Sequence, residues 1–156
     1  MAQSMYVHIP FCTQICHYCD FNKFFIQNQP VEEYLRSLAG EMSLYQMGKR
    51  EMKTVFIGGG TPTALDAGQM EKLLASIHEN IRLGDEYEFT MEANPGDLTK
   101  EKLAVMKAAG VNRLSLGVQT FNEELLKKIG RGHTSEDVYR NIELAREAGF
   151  ENISID

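Results

Sequence analysis

Short apolar runs of strand character alternate with helical patterns from one end of the 156-residue sequence to the other, and this order limits the available folds more than any other feature. Strands are expected at 5–9 (MYVHI), 54–57 (TVFI), 87–91 (YEFTM), 111–118 (VNRLSLGV) and 152–155 (NISI), each rich in β-branched or aromatic residues. Between them, Val31 to Met47 places Leu35, Leu38, Met42 and Tyr45 at helical spacing, and Gln69 to Ile81 does so with Met70, Leu73, Leu74 and Ile77. Two further helices are read at Lys102 to Ala109 and Val138 to Ala148. Asp66, Thr99 and Ser135 are the expected N-caps, and Gly110 and Gly149 stand where helix C-termini should fall. Met42, Met47, Met70 and Met106, at helical positions, read as core filler, and His8 and His78 as structural histidines.

Strictly alternating β and α elements favour an α/β fold with a parallel sheet and right-handed crossovers. The spacing of the later units, about 25 to 40 residues, is close to the βα repeat of a barrel. Five strands are too few to close one, so the expectation is a single domain over 1–156: a partial parallel (β/α) barrel that is the N-terminal portion of a longer protein, with unpaired first and last strands.

Parallel βα folds bind ligands at the carboxyl ends of their strands, so the residues that follow each strand carry the functional reading. The first strand runs into Pro10, Phe11 and Cys12, the second into Gly58, Gly59, Gly60 and Thr61, the third into Glu92 and Asn94, the fourth into Gln119, and the fifth into Asp156. Thiols, a glycine turn, carboxylates and amides therefore gather on one rim, which core packing alone does not require.

The three cysteines lie within eight positions as C-x3-C-x2-C, at Cys12, Cys16 and Cys19. An odd, crowded set is no disulfide framework and reads as metal ligands. Such a loop can wrap one face of an iron–sulfur cubane, leaving the fourth iron open to a small molecule because no fourth cysteine exists in the chain. The alternative is a zinc site completed by His17, although structural zinc normally draws on two separated ligand pairs. The turn G-G-G-T-P-T at 58–63 lets backbone approach a ligand or simply turns tightly; it lacks the Lys-Ser/Thr of a phosphate loop and the spacing of a dinucleotide fingerprint.

A formal net charge of -6, without a Lys/Arg block, argues against nucleic acid as a partner. The N-terminus carries no signal-peptide pattern and no stretch nears the roughly 20 apolar residues of a membrane span, so a cytoplasmic location is expected.

Read together, Y-x-H-I-P-F-C-x3-C-x2-C from Tyr6 to Cys19 and the GGGTPT turn resemble the radical S-adenosylmethionine (SAM) superfamily, and within it the oxygen-independent coproporphyrinogen III oxidase-like family, along essentially the whole chain. The resemblance implies a [4Fe-4S] cluster on Cys12, Cys16 and Cys19, with SAM chelating the open iron. It implies cofactor contacts from Tyr6, Tyr18, Gly59, Gly60, Thr61, Glu92, Gln119, Arg131 and Asp156; for each polar one the plain alternative is an ordinary hydrogen bond at the barrel rim. His133, next to Arg131, lies near this site but is not counted in it. The implied chemistry is one-electron cleavage of the sulfonium to methionine and a 5′-deoxyadenosyl radical, with the protein orienting and shielding. Oxidases of this family show a further cysteine two residues after the third, where this chain has Phe21, and only eleven residues precede Cys12. Both features point to the heme-chaperone branch, with heme or porphyrinogen as ligand, flavodoxin or ferredoxin as an electron donor, and heme-accepting apoproteins as partners. The oxidase itself and a different radical substrate remain open, as does a zinc-bound structural module.

Overall fold

A computed structural model describes residues 3–45 and 50–156. Five strands form one all-parallel sheet in the order β1-β4-β5-β6-β7: β1 (Ser4–Ile9), β4 (Glu51–Gly59), β5 (Arg82–Ala93), β6 (Arg113–Leu116) and β7 (Asn152–Ile155). Spatial order follows chain order, as expected for a barrel cut open, and β1 and β7 are its edges. Two further two-residue strands, β2 (Phe11–Cys12) and β3 (Phe24–Phe25), pair as a ribbon that closes the base of the cysteine loop, with Phe24 N donating to Pro10 O and Ile26 N to Cys12 O.

The crossovers are α1 (Val31–Leu44), α2 (Ala67–Asn80), α3 (Lys100–Ala108) and α5 (Ser135–Glu147), with a short α4 (Glu123–Lys128) before the last. Among the described residues none is long and apolar enough to cross a membrane. Alternate strand residues, among them Val7, Ile9, Val55, Ile57, Phe89, Met91 and Leu114, are buried in one cluster with Leu35, Met70, Leu74, Leu103 and Val138 of the helices. The opposite phase carries Tyr6, Phe56, Glu92, Ser115 and Asp156. One face of the sheet is thus a hydrophobic core and the other a largely polar concave wall, so these strands read as alternating rather than as the continuous apolar runs of doubly covered parallel sheets.

Several boundaries differ from the sequence reading. The first helix ends at Leu44, and Met47 lies outside the described residues. Met42, Met70 and Met106 are buried, as expected of core filler. The last helix is capped by Thr134, not Ser135: Thr134 Oγ1 accepts from Asp137 N, and the Asp137 carboxylate accepts from Thr134 N, a reciprocal box. Ser135 cannot build that box because the residue three positions on is Val138. Its hydroxyl instead donates to Glu123 at 2.7 Å, joining α5 to α4. Asp66 and Thr99 cap as expected, and Gly110 and Gly149 follow α3 and α5 with φ of +82° and +87°.

Candidate functional site: three thiols over the carboxyl rim

Each strand ends by delivering its next residues to one side of the sheet, and the 12–19 loop folds back over them. The resulting cavity, about 270 Å³, is lined by Cys12, Cys16 and Cys19 together with Tyr18, Gly59, Gly60, Thr61, Glu92, Gln119, Arg131 and Asp156. Eleven of the twelve residues singled out in the sequence therefore meet in one place. Tyr6 is the exception. It lies further back on β1, with its ring stacked on Phe56 and its hydroxyl paired with His8 Nδ1 at 3.0 Å, close enough to Glu92 to feel its charge.

The three consecutive glycines each lie against a different neighbour. A Cβ on Gly58 would fall 2.7 Å from Glu92 Oε2, and one on Gly60 would fall 2.7 Å from Phe11 O and 2.9 Å from Phe11 N. Gly59 has φ +117°, and a Cβ there would meet the His8 ring at 2.5 Å. The turn's amides are committed inside the protein: Gly59 N donates to Glu92 Oε2 (3.1 Å), Gly60 N to Ile9 O (2.8 Å) and Thr61 N to Phe11 O (2.7 Å). The turn is therefore no anion cradle, and what it leaves for a ligand is acceptor oxygen.

Burial, with Asp156 adding to it, pushes the Glu92 carboxyl above its usual range against the opposing Gly59 hydrogen bond. Gln119 adopts φ +67°, a left-handed conformation uncommon for a residue with a Cβ, held by Gln119 N donating to Asp156 O at 2.8 Å. Asp156 N in turn donates to Leu116 O, and Ser115 Oγ donates to the Asp156 carboxylate at 3.4 Å. The ends of β6 and β7 are thereby locked together beneath the cavity.

The thiols suit an iron–sulfur cluster. Thr61 Oγ1 donates to Cys12 Sγ (3.6 Å) and Arg131 Nη1 to Cys16 Sγ (3.4 Å), so donors already face two of the three sulfurs. Burial pushes the Cys12 thiol up, and Cys19 and Cys16 are near enough to add to that rise. Among the described residues no group of three or more His, Cys, Asp or Glu is arranged to hold a single ion. His17, the fourth ligand of the zinc alternative, is turned away: its Nδ1 pairs with Lys128 O at 3.0 Å and it is not part of the cavity wall.

The cavity also holds groups not singled out in the sequence as cofactor contacts: Gln14, Phe21, Lys23, Asn94, Ser115 and Gly117. Asn94 stood on the rim in the sequence reading without a cofactor role; Gly117 follows directly on β6 and Ser115 sits in the inward phase of its strand, so the rim rule and strand alternation could have found these two. Lys23 carries no such signal; it reaches back to Cys19 O at 2.5 Å. His133 is buried with Nε2 paired to Val118 O and lines a separate, neighbouring cavity.

The comparisons with known proteins agree with this geometry. Residues 6–156 match the model of the Radical SAM superfamily. The heme chaperone HemW of Bacillus subtilis is 57% identical over 157 residues, covering 99% of this chain and 41% of its own length. The oxygen-independent coproporphyrinogen III oxidase of Escherichia coli is 35% identical, covering 98% of this chain and 34% of its own. The solved structure of the Escherichia coli coproporphyrinogen III oxidase HemN, a radical SAM enzyme, superposes with a TM-score of 0.90 at 34% identity, over 99% of this chain and 36% of that one. The chain thus spans about two-fifths or less of the length of these relatives. A five-stranded parallel half-barrel that gathers a C-x3-C-x2-C loop over its carboxyl rim, and whose sequence matches the family model almost from end to end, belongs to the radical SAM superfamily.

Proposed function

We propose that this chain is the cluster- and cofactor-binding part of a heme chaperone, holding a [4Fe-4S] cluster on Cys12, Cys16 and Cys19 and SAM beside it. The observation that carries the reading is the convergence of three thiols with an acceptor-lined turn and two carboxylates in one cavity. When bound, the cluster and SAM supply the one-electron cleavage of a sulfonium. The chain's own residues bind and orient. The Gly59–Gly60–Thr61 turn, its amides committed elsewhere, and the Glu92 and Asp156 carboxylates offer acceptors to the ammonium and hydroxyl groups of SAM. The Gln119 amide and the Arg131 guanidinium offer donors, and Tyr18 shields the cofactor's flank, while Tyr6, outside the cavity wall, backs the site from β1.

The chaperone branch is favoured over the oxidase by the 57% identity to a heme chaperone against 35% to the oxidase, and by Phe21 in place of the oxidases' additional cysteine. Heme, a flavodoxin- or ferredoxin-type electron donor and heme-accepting apoproteins are the partners of this reading. The test is to titrate the full-length protein with heme, follow transfer to an apoprotein, and assay coproporphyrinogen decarboxylation in parallel. Stoichiometric heme binding with transfer supports the reading, whereas decarboxylation without transfer overturns it in favour of the oxidase.

A further inference from the structure

The segment G-R-G-H at 130–133, directly after α4, lies against the cysteine loop and is shaped to it. His17 N donates to Ile129 O at 3.0 Å. A Cβ on Gly130 would come 3.1 Å from the His17 ring, and one on Gly132 would overlap Gln14 Oε1. Both flanking glycines therefore give way to side chains of the loop, and the residue between them is pressed into the crevice. There Arg131 Nη1 donates to Cys16 Sγ at 3.4 Å, while Nη2 donates to Asn94 Oδ1 at 2.9 Å and to Gly117 O. Its Nε is buried without an acceptor, and among the described residues no carboxylate pairs with the guanidinium. The fork is thus anchored by neutral groups at the ends of β5 and β6, with the Asp97 carboxylate near enough to feel its charge but not paired with it, and Nη1 is aimed where a thiolate would sit.

We propose that Arg131 is a positioning residue for the cluster itself, donating to the Cys16 thiolate and raising the potential at which the cluster accepts an electron, independently of any contact with SAM. The inference rests on the proposed cluster on Cys12, Cys16 and Cys19. Accepting one electron from a low-potential reductant adds negative charge that spreads onto the cysteine sulfurs. A fixed cationic donor stabilises that charge more in the reduced state than in the oxidised one, and hydrogen bonds to sulfur are a main lever on such potentials.

The experiment uses the full chain, reconstituted anaerobically with iron and sulfide and left without SAM. Iron and sulfide are counted first, and the cluster is then titrated with dithionite and followed by absorption and electron-spin resonance. Arg131→Met is expected to take up as much iron as the parent and to disfavour reduction about tenfold, a shift of about 59 mV to lower potential for a one-electron couple. Arg131→Lys, which keeps the charge but not the anchored fork, is expected to recover less than half of that shift. An unmoved midpoint in Arg131→Met overturns the assignment, and so does full recovery by Arg131→Lys, which would reduce the effect to through-space charge. If Arg131→Met fails to assemble, Arg131→Gln, which removes the charge and keeps a polar side chain, is read in its place: a shift in the same direction supports the proposal and none overturns it. A parent protein that binds no iron sinks the cluster reading first, and the count taken before the titration keeps the two failures apart.

Discussion

Substituting Gly60 by Ala tests how the rim is built. The added Cβ would stand 2.7 Å from Phe11 O and 2.9 Å from both Phe11 N and Pro10 C. All three are backbone atoms of the strand-to-loop connection, so no flexible side-chain tip can move aside. Reaching ordinary contact, from 3.4 Å, needs a displacement of about 0.7 Å between β4 and the start of the cysteine loop. That displacement stretches the two bonds that join them, Gly60 N to Ile9 O and Thr61 N to Phe11 O, now 2.8 and 2.7 Å. Losing most of both costs about 1 kcal/mol each, and overpacking adds about 1–3 kcal/mol. The loss is therefore about 3–5 kcal/mol, a large share of the roughly 5–15 kcal/mol that holds an ordinary domain together. Urea unfolding of the metal-free chain followed by circular dichroism should show the midpoint falling by about 2 M. Gly40→Ala is the control: it lies in α1 with nothing within 4 Å of an added Cβ, and should gain about 0.5–1 kcal/mol. A Gly60→Ala chain within about 1 kcal/mol of the parent would refute the argument that close backbone approach requires this glycine.

Two more outcomes follow from the site and its frame. The Glu92 carboxyl is raised in the folded chain, by burial first and Asp156 second, so the stability it contributes is present at acid pH and is lost as pH rises from the ordinary value of 4.5 through the raised one. Glu92→Gln should then unfold at higher urea than the parent at neutral pH and lose that advantage near pH 4, whereas a difference constant across that range would contradict the shift. Thr134→Ala removes the acceptor of the α5 capping box and should cost about 1 kcal/mol, and Ser135→Ala, which loses one bond to Glu123, should cost less; thermal unfolding in the reverse order would reassign the cap.

The β/α order and the rim were legible in the sequence because both depend on local pattern: which residues alternate, and which come next. What escaped depended on partners far away or on segments too short to show a period. α4 spans six residues with only Leu125 and Leu126 apolar in the run EELLKK, less than two turns, and gives no usable periodicity. β5 begins at Arg82, well before the apolar run, because LGDE is carried into the sheet by pairing of Arg82 and Leu83 with Glu51 and Met52 across a register shift. β6 stops at Leu116, short of the apolar Val118, where Gly117 N turns to Ala93 O. Arg131 was singled out through the family resemblance, yet its place opposite Cys16, 115 residues away, follows from α4 and the two glycines beside it.

The central claim is that three thiols in this cavity hold an open-iron cluster. Anaerobic reconstitution with iron and sulfide, followed by metal counting and electron-spin resonance with and without SAM, tests it directly. The account predicts about four irons per chain and a reduced signal that changes when SAM is added, both lost in Cys16→Ala. One tightly bound zinc and no cluster would contradict it.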